Sequence, residues 1–436
     1  MAGHFVELTQ RLRGWSQDHV LRNTATLALG AGGAKVLAFV VTPIITRIYS
    51  PEHFGVLALF TAVVLIGAPL ANLRFSVAIP LPKHNLLAIN VFVLGLLCTG
   101  IVSVGLFALL LVCHEQILAA LSMDALSVYW WLIPVSIAGT SLFELLSLWA
   151  TRVGAFKAMA ASQMRQTLVG SATKIVFGLA GFKPLGLIVG QTLQQVGGAE
   201  LLFRSFRGSM VSTRTDVSIR RLRRAWRVFS NMPMQRMPAQ LVLRFSMQAP
   251  LIFVAALYSA DITGQLGLAL TALALPVSLL GTTAANAYYS EVAKLGRKKA
   301  SDVLRLTRSI TKRMVGLAII PAGLLILLGP RLFTLVFGDQ WLLAGQFSQC
   351  MAIYMLAQFA SAPIVNALSV FGRQAQFLAI NAVRALLVVL VFAAAWILHL
   401  DPLTTILAYS IVLSVHYAAV CLQVFSIIRT EAVSSP

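Results

Sequence analysis

Stretches of about 20 predominantly apolar residues follow one another almost from end to end of this chain, and no other feature constrains its fold more. A helical run of that length matches the hydrocarbon thickness of a bilayer, and in lipid only a helix or a closed barrel satisfies its own backbone. Twelve spans are placed at 24–46, 55–77, 86–112, 127–150, 159–181, 185–205, 233–258, 264–289, 314–337, 343–370, 376–399 and 403–427. The prediction is an all-α polytopic membrane protein. Composition agrees, since 58% of the 436 residues are apolar and 11% charged, whereas soluble domains are about one quarter charged. Ordinary globular enzymes and disordered chains are excluded on that ground. The net charge of +20 would suggest a nucleic-acid partner in a soluble protein. The hydropathy removes that partner and moves the question to where the positive charge sits relative to the bilayer.

Lysine and arginine are retained on the cytoplasmic side of short loops. With the chain threaded through twelve spans, 26 of the 34 Lys and Arg fall on the side of the N-terminus and only Arg47, Lys183 and Arg331 on the other. Five lie within spans: Lys35, Lys174, Arg236, Arg244 and Arg384. Both termini are therefore expected in the cytoplasm. Tyr129, Trp130, Trp131 and Trp341 fit an interfacial aromatic belt on the opposite face. No cleavable signal pattern opens the chain. Phe5, Leu8, Leu12 and Trp15 recur at helical spacing, which fits either a helix lying on the membrane surface or a frayed polar tail. Cys98, Cys113, Cys350 and Cys421 have no metal or redox spacing and read as packing residues, so no cofactor is expected.

A polar segment, Ser205 to Met232, carries seven arginines and separates six spans from six. The expected division is a cytoplasmic amphipathic N-terminus (1–23), a first lobe (24–205), a basic cytoplasmic linker (206–232), a second lobe (233–428) and a short cytoplasmic tail (429–436). Within the linker Ile219, Leu222, Trp226 and Phe229 share one helical face, with Arg220, Arg221, Arg223, Arg224 and Arg227 mostly on the other. Such a helix would lie on anionic inner-leaflet phospholipids, at about 1 kcal/mol per basic residue near the surface. A repeat relates the lobes: Tyr49-Ser50-Pro51-Glu52-His53-Phe54-Gly55-Val56-Leu57 matches Tyr258-Ser259-Ala260-Asp261-Ile262-Thr263-Gly264-Gln265-Leu266 at an offset of 209. An even number of spans per lobe makes the repeats parallel, an arrangement that in transporters places the substrate site between the halves.

The same offset maps Lys35 in span 1 onto Arg244 in span 7. Each intramembrane cation costs about 2.5–3.5 kcal/mol on insertion scales, so the pair is expected to face a cavity between the lobes. Arg165 and Arg384 pair at an offset of 219, and either line that cavity or snorkel to its edge. Glu144 is the one acidic residue well inside a span, while Glu200 is expected to pair with Arg204 one turn later. Glu144 reads either as the partner of a nearby cation such as Arg152 or Arg165, or as an ion-coupling group. With Lys35, Arg244, Lys174, Arg236 and Arg384 against Glu144, the expected ligand is an anion.

Thr46-Arg47-Ile48-Tyr49-Ser50-Pro51 followed by Phe54-Gly55, then Leu73-Arg74-Phe75 and Ala78-Ile79, resembles the start of Wzx-type polysaccharide flippases. These belong with the lipid II flippase MurJ and the MATE exporters to one superfamily. The resemblance implies two six-helix bundles forming a V-shaped, alternating-access carrier in the bacterial inner membrane, expected to act as a monomer. It implies a substrate too: an oligosaccharide on undecaprenyl pyrophosphate, moved from the inner to the outer leaflet. Arg47 and Arg74, which stand in these motifs, thereby join the candidate substrate-binding residues, and other polysaccharide-assembly proteins become candidate partners. Ser76 stands where members of the family often carry an acid. Gln191, Gln194 and Gln195 suit sugar hydroxyls or interhelical hydrogen bonds alike.

Three rivals remain. A polysaccharide polymerase or ligase would present a large outer loop with arginines, but the longest here, Cys113 to Leu126, carries only Glu115 and Asp124. A MATE-like antiporter of small cations would meet a repelling cavity. A nucleotide-driven pump needs a phosphate-binding loop, and Gly30-Ala31-Gly32-Gly33-Ala34-Lys35 has the wrong spacing for one. Transport is therefore expected to draw on the membrane potential, with a proton or sodium gradient as the other candidate source.

Overall fold

The computed structural model describes residues 19–212, 217–296 and 299–434; the N-terminal segment with Phe5, Leu8, Leu12 and Trp15 lies outside them. Among the described residues the chain is helical and contains no strand. The first half holds α1 (His19–Ile48), α2 (Pro51–Ala71), α3 (Asn85–Ala120), α4 (Leu132–Val153), α5 (Phe156–Leu179), α6 (Leu185–Val196) and α7 (Ala199–Ser212). A short helix, α8 (Ile219–Val228), leads to α9 (Met237–Leu257), α10 (Ala260–Pro276), α11 (Thr282–Leu295), α12 (Ala300–Phe337), α13 (Leu342–Ile364), α14 (Ala367–Val370), α15 (Gln374–Ile397) and α16 (Pro402–Ser434).

Nine helices among the described residues are long and apolar enough to cross a membrane, against twelve expected. The three that fall short have identifiable reasons. Helix α5 carries Lys157, Arg165 and Lys174, α13 carries Gln346, Gln349 and Gln358, and the expected span 185–205 is broken between α6 and α7. Helices nevertheless occupy all three places. Other boundaries moved as well. Helix α2 stops at Ala71, where Leu73 and Arg74 adopt left-handed φ values of 48° and 61° before a 3-10 turn at Phe75–Ala78. Helix α12 begins at Ala300, well before the expected 314, because its polar first turns, with Arg305, Arg308, Lys312 and Arg313 exposed, continue the helix beyond the apolar run. Helix α7 runs to Ser212, so the linker is shorter than expected.

The surface is apolar where lipid would touch it: Ile101, Val104 and Val112 on α3, Ile320 and Leu327 on α12, and Leu386 and Trp396 on α15 are all exposed. One core around Phe75, Phe92, Leu145 and Trp149 draws on residues 75–232, and another around Met314, Phe347, Met351 and Phe392 draws on residues 249–417. Helix α1 packs along α5, α6 along α5, and α12 along α13.

The repeated segment is the place where the two halves touch most closely. Ser50 and Ser259, related by the offset of 209, each stand at the N-cap of a helix. The Ser259 hydroxyl accepts from the Ile262 amide at 3.2 Å, whereas the Ser50 amide donates to His53 Nδ1 at 3.2 Å. Helices α2 and α10 then cross with Gly55 against Ala260 and Gly264 against Pro51: a Cβ on either glycine would lie 1.8 Å from the opposing carbonyl oxygen. The two contacts are the same contact read in both directions, as an approximate two-fold axis through the crossing requires.

Candidate functional site

Where α2 gives way to the 3-10 turn, the left-handed backbone at Leu73 and Arg74 turns the Arg74 side chain back toward α4. Its Nη1 meets Glu144 Oε1 at 2.8 Å, and Asn72 Nδ2 donates to Glu144 Oε2 at 3.1 Å. Asn72, fully buried, also accepts the Arg74 amide on Oδ1 at 2.9 Å. This asparagine holds both partners, and the sequence reading missed it. Its signal was a polar residue beside the Leu-Arg-Phe motif at a helix end. The expected pairing of Glu144 with Arg152 or Arg165 is corrected. Arg152 instead donates to the carbonyls of Pro82 (2.6 Å) and Ile79 (3.3 Å), and Arg165 bridges Glu200 at 3.2 Å. Glu200 also pairs with Arg204, as expected.

From the second half, half-buried Arg244 on α9 enters the electrostatic reach of both Glu144 and Arg74. Arginines from the two halves thus stand near one carboxylate, Arg74 bonded to it and Arg244 within reach of its charge. The Nε atoms of Arg74 and Arg244 are both buried with no hydrogen-bond acceptor among the described residues. Buried donors of this kind are normally satisfied, and here each of the two arginines keeps one without an acceptor. Exposed Arg236 lies in the π-helical turn Met232–Arg236, which packs on the Phe75–Ala78 turn. Lys35 is exposed on α1, with no ion-pair partner among the described residues.

The remaining candidates lie elsewhere. Lys174 is buried between α5 and α6, its ammonium donating to Gln191 Oε1 at 2.8 Å and Gln194 Oε1 at 3.0 Å. The approach of α6 at Gly190, whose Cβ would lie 2.5 Å from Lys174 Cγ, closes the lysine off from open space. Those two glutamines are thereby interhelical partners. Arg384 is buried between α15 and α16, its guanidinium 5.7 Å from the Tyr417 ring, which stacks on Tyr354 at 6.0 Å. The different surroundings of Arg165 and Arg384 do not reproduce the symmetry that the offset of 219 suggested. Arg47 is exposed at the other end of α1, in a shallow groove of about 400 Å³ with Pro43, Ile44 and Ile175.

At that same end the halves are hydrogen-bonded together. Helix α1 stops at Ile48 and the Ser50 amide, which would close on it in a continuing helix, donates to His53 instead, so the Thr46 carbonyl is among the acceptors a helix end leaves free. Gln340 Nε2 and Trp341 Nε1 fill it at 2.6 and 3.2 Å, and the Trp341 ring meets Phe54 edge-on at 4.9 Å. Gln265 fixes the latch from behind, donating to the Gln340 carbonyl at 2.7 Å and accepting from the Ala344 amide at 2.9 Å. Glu52 and Asp261, again 209 apart, stand close enough for their charges to interact. The molecule is thus bound shut at the end bearing the repeat, with its cationic cluster toward the end bearing α8.

A family model described as "Polysaccharide biosynthesis protein" matches residues 44–346. No curated protein sequence matches the chain. Among solved structures, the inward closed conformation of the lipid II flippase MurJ aligns with a TM-score of 0.72 at 13% identity, covering 92% of this chain and 89% of that one. A multidrug resistance MATE family transporter of the MOP superfamily aligns in its inward-facing conformation with a TM-score of 0.68 at 14% identity, over 94% and 96% of the two chains. Its outward-facing conformation aligns at 0.60 and 13%, over 93% and 94%. The fold is therefore the MATE- and MurJ-like helical membrane fold that the resemblance implied.

Proposed function

The chain belongs to the family of polysaccharide biosynthesis proteins, and from that premise we propose that it is a flippase carrying undecaprenyl-pyrophosphate-linked oligosaccharide units from the inner to the outer leaflet of the bacterial cytoplasmic membrane. The observation that carries the reading is the convergence of Arg74 and Arg244 from opposite halves, each with a buried, unfilled Nε donor. Arginine's fork of donors suits phosphate oxygens, and a pyrophosphate offers many acceptors in a small volume. In this reading exposed Lys35 and Arg236 add positive charge to the pair on the cytoplasmic side, where α8 and both termini lie. Alternating access follows from two lobes, 24–205 and 233–428, rocking about the axis between α2 and α10. The latch at Thr46 closes the outer side, so the present state receives substrate from the inner leaflet.

A MATE-like antiporter of small cations fits less well. The single intramembrane carboxylate among these groups is already engaged by Arg74 and Asn72, which leaves no free anion to hold a cation.

Charge reversal tests the reading. A charged hydrogen bond contributes about 1.5–3 kcal/mol, roughly ten- to a hundredfold in affinity, and reversal adds repulsion. Arg244→Glu should abolish surface polysaccharide in the producing strain while the protein remains inserted at normal abundance. Normal polysaccharide in that strain would remove Arg244 from the substrate site.

A further inference from the structure

Helix α8 turns part of its apolar side, expected to lie on the membrane, to the protein. Ala225 is fully buried in the core that holds Phe75 and Trp149, Leu222 is half-buried, and the Trp226 ring meets Phe75 at 5.3 Å. The protein covers the middle of that face, while Trp226 and Ile219 beside it remain 42% and 73% exposed. The opposite face carries Arg220, Arg223, Arg224 and Arg227, spaced i, i+3, i+4, i+7, so all four line one side of the helix over about 10 Å. All four are exposed, and none has a carboxylate partner among the described residues. Together with exposed Ile219 and Val228 at the two ends, they border a groove of about 690 Å³. Like charges so closely spaced repel one another, and such a ridge is kept at a cost that a polyanion would relieve.

We propose that this ridge is the loading site for the diphosphate head of the lipid-linked substrate, which it captures before the head passes to Arg74 and Arg244. The inference rests on the flippase reading. Two observations choose this occupant over the phospholipid surface. The first is charge: a diphosphate diester is a dianion that can engage several guanidiniums at once, whereas a phosphodiester headgroup is a monoanion that needs no such density. The second is continuity. Trp226 is fastened to Phe75, the residue after Arg74, and the turn bearing Arg236 packs on the same Phe75–Ala78 segment. The ridge is therefore carried by a helix anchored one residue from Arg74, on the side of α8 turned away from that anchor, and its apolar ends suit the start of a prenyl chain.

The test uses purified full-length protein titrated with undecaprenyl pyrophosphate in detergent, in the wild type and in an Arg244→Glu background that disables the central site. Arg244→Glu protein should still bind. Adding Arg220→Gln, Arg223→Gln, Arg224→Gln and Arg227→Gln should weaken that binding at least about tenfold, with helicity kept because glutamine and arginine have similar helix propensities. Removing four charges elsewhere, by Arg305→Gln, Arg308→Gln, Lys312→Gln and Arg313→Gln, should leave it unchanged. Inorganic pyrophosphate should compete and phosphatidylglycerol should not. Failure of Arg244→Glu protein to bind, an unaltered affinity in the ridge variant, or equal competition by phosphatidylglycerol would each overturn the ridge as a substrate site. Wild-type protein that binds no undecaprenyl pyrophosphate would instead overturn the flippase reading on which the ridge depends.

Discussion

At the residue scale, the site turns on how Arg74 is held. A non-glycine residue in the left-handed region costs about 1–2 kcal/mol, and Leu73 and Arg74 occupy it consecutively. Such backbone persists where surrounding contacts over-determine it, and the Asn72 side chain, bonded to the Arg74 amide and to Glu144, supplies them. Breaking a partly buried pair leaves one charge uncompensated, at about 3–5 kcal/mol when burial is complete and less here. Both partners are partly exposed, at 17% and 28%, so Arg74→Ala and Glu144→Ala should each lower the melting temperature of the purified protein by several degrees. The double variant should recover much of the loss, because neither charge is then stranded. Additive losses would mean that the pair does not act as a unit. The sequence marked Arg74 and Glu144 as candidates but paired the glutamate wrongly. Arg152 lies two turns further along the same helix and looked nearer, and a backbone reversal at residues with no glycine leaves no trace in composition. Lys174 was misplaced for a related reason: glutamines on α6 can face either a cavity or a neighbouring helix, and only the close approach at Gly190 decides between them.

At the element scale, the sequence repeat identified the two turns at 49–57 and 258–266 as equivalents without revealing that they touch. Repetition reports symmetry, and contact depends on where the axis runs. The axis passes between α2 and α10, where small residues let backbones meet. The latch itself was invisible. Trp341 was read as a belt residue, since an indole before a span looks the same whether its N–H meets a lipid headgroup or the Thr46 carbonyl. The crossing gives a direct prediction. A valine at Gly264 would put its Cβ where the Pro51 carbonyl lies, so α2 and α10 must separate and the end that faces outward in the proposed topology cannot close. Gly264→Val should insert normally yet lose transport, and a single cysteine at Ala58, which faces Gly267 across the same crossing, should become accessible to an impermeant outside reagent. Continued protection of that cysteine in an inactive variant would show that the damage lies elsewhere.

At the scale of the whole molecule, the distribution of charge decides what can drive transport. Hydropathy and repeat made the helical, two-part architecture legible. The source of energy depends on a few side chains instead. The one intramembrane carboxylate in the cluster is engaged by Arg74 and Asn72, which leaves it poorly placed to cycle as an ion carrier. On the proposed flippase reading the cationic groups stay with the protein, while the substrate's diphosphate crosses the membrane field from a negative interior. That direction is favoured by about 2.3 kcal/mol per elementary charge per 100 mV, roughly fiftyfold in the leaflet distribution for each charge. The potential alone can bias the exchange outward. In reconstituted vesicles, a potassium diffusion potential negative on the side of α8 should therefore accelerate flipping, and reversing its sign should slow it. Glu144→Gln should lower the rate, through the loosened Arg74, without removing the response to potential. Transport that ignores the potential but requires a proton or sodium gradient would refute this account. If Glu144→Gln also abolished that gradient dependence, the carboxylate would be the coupling group.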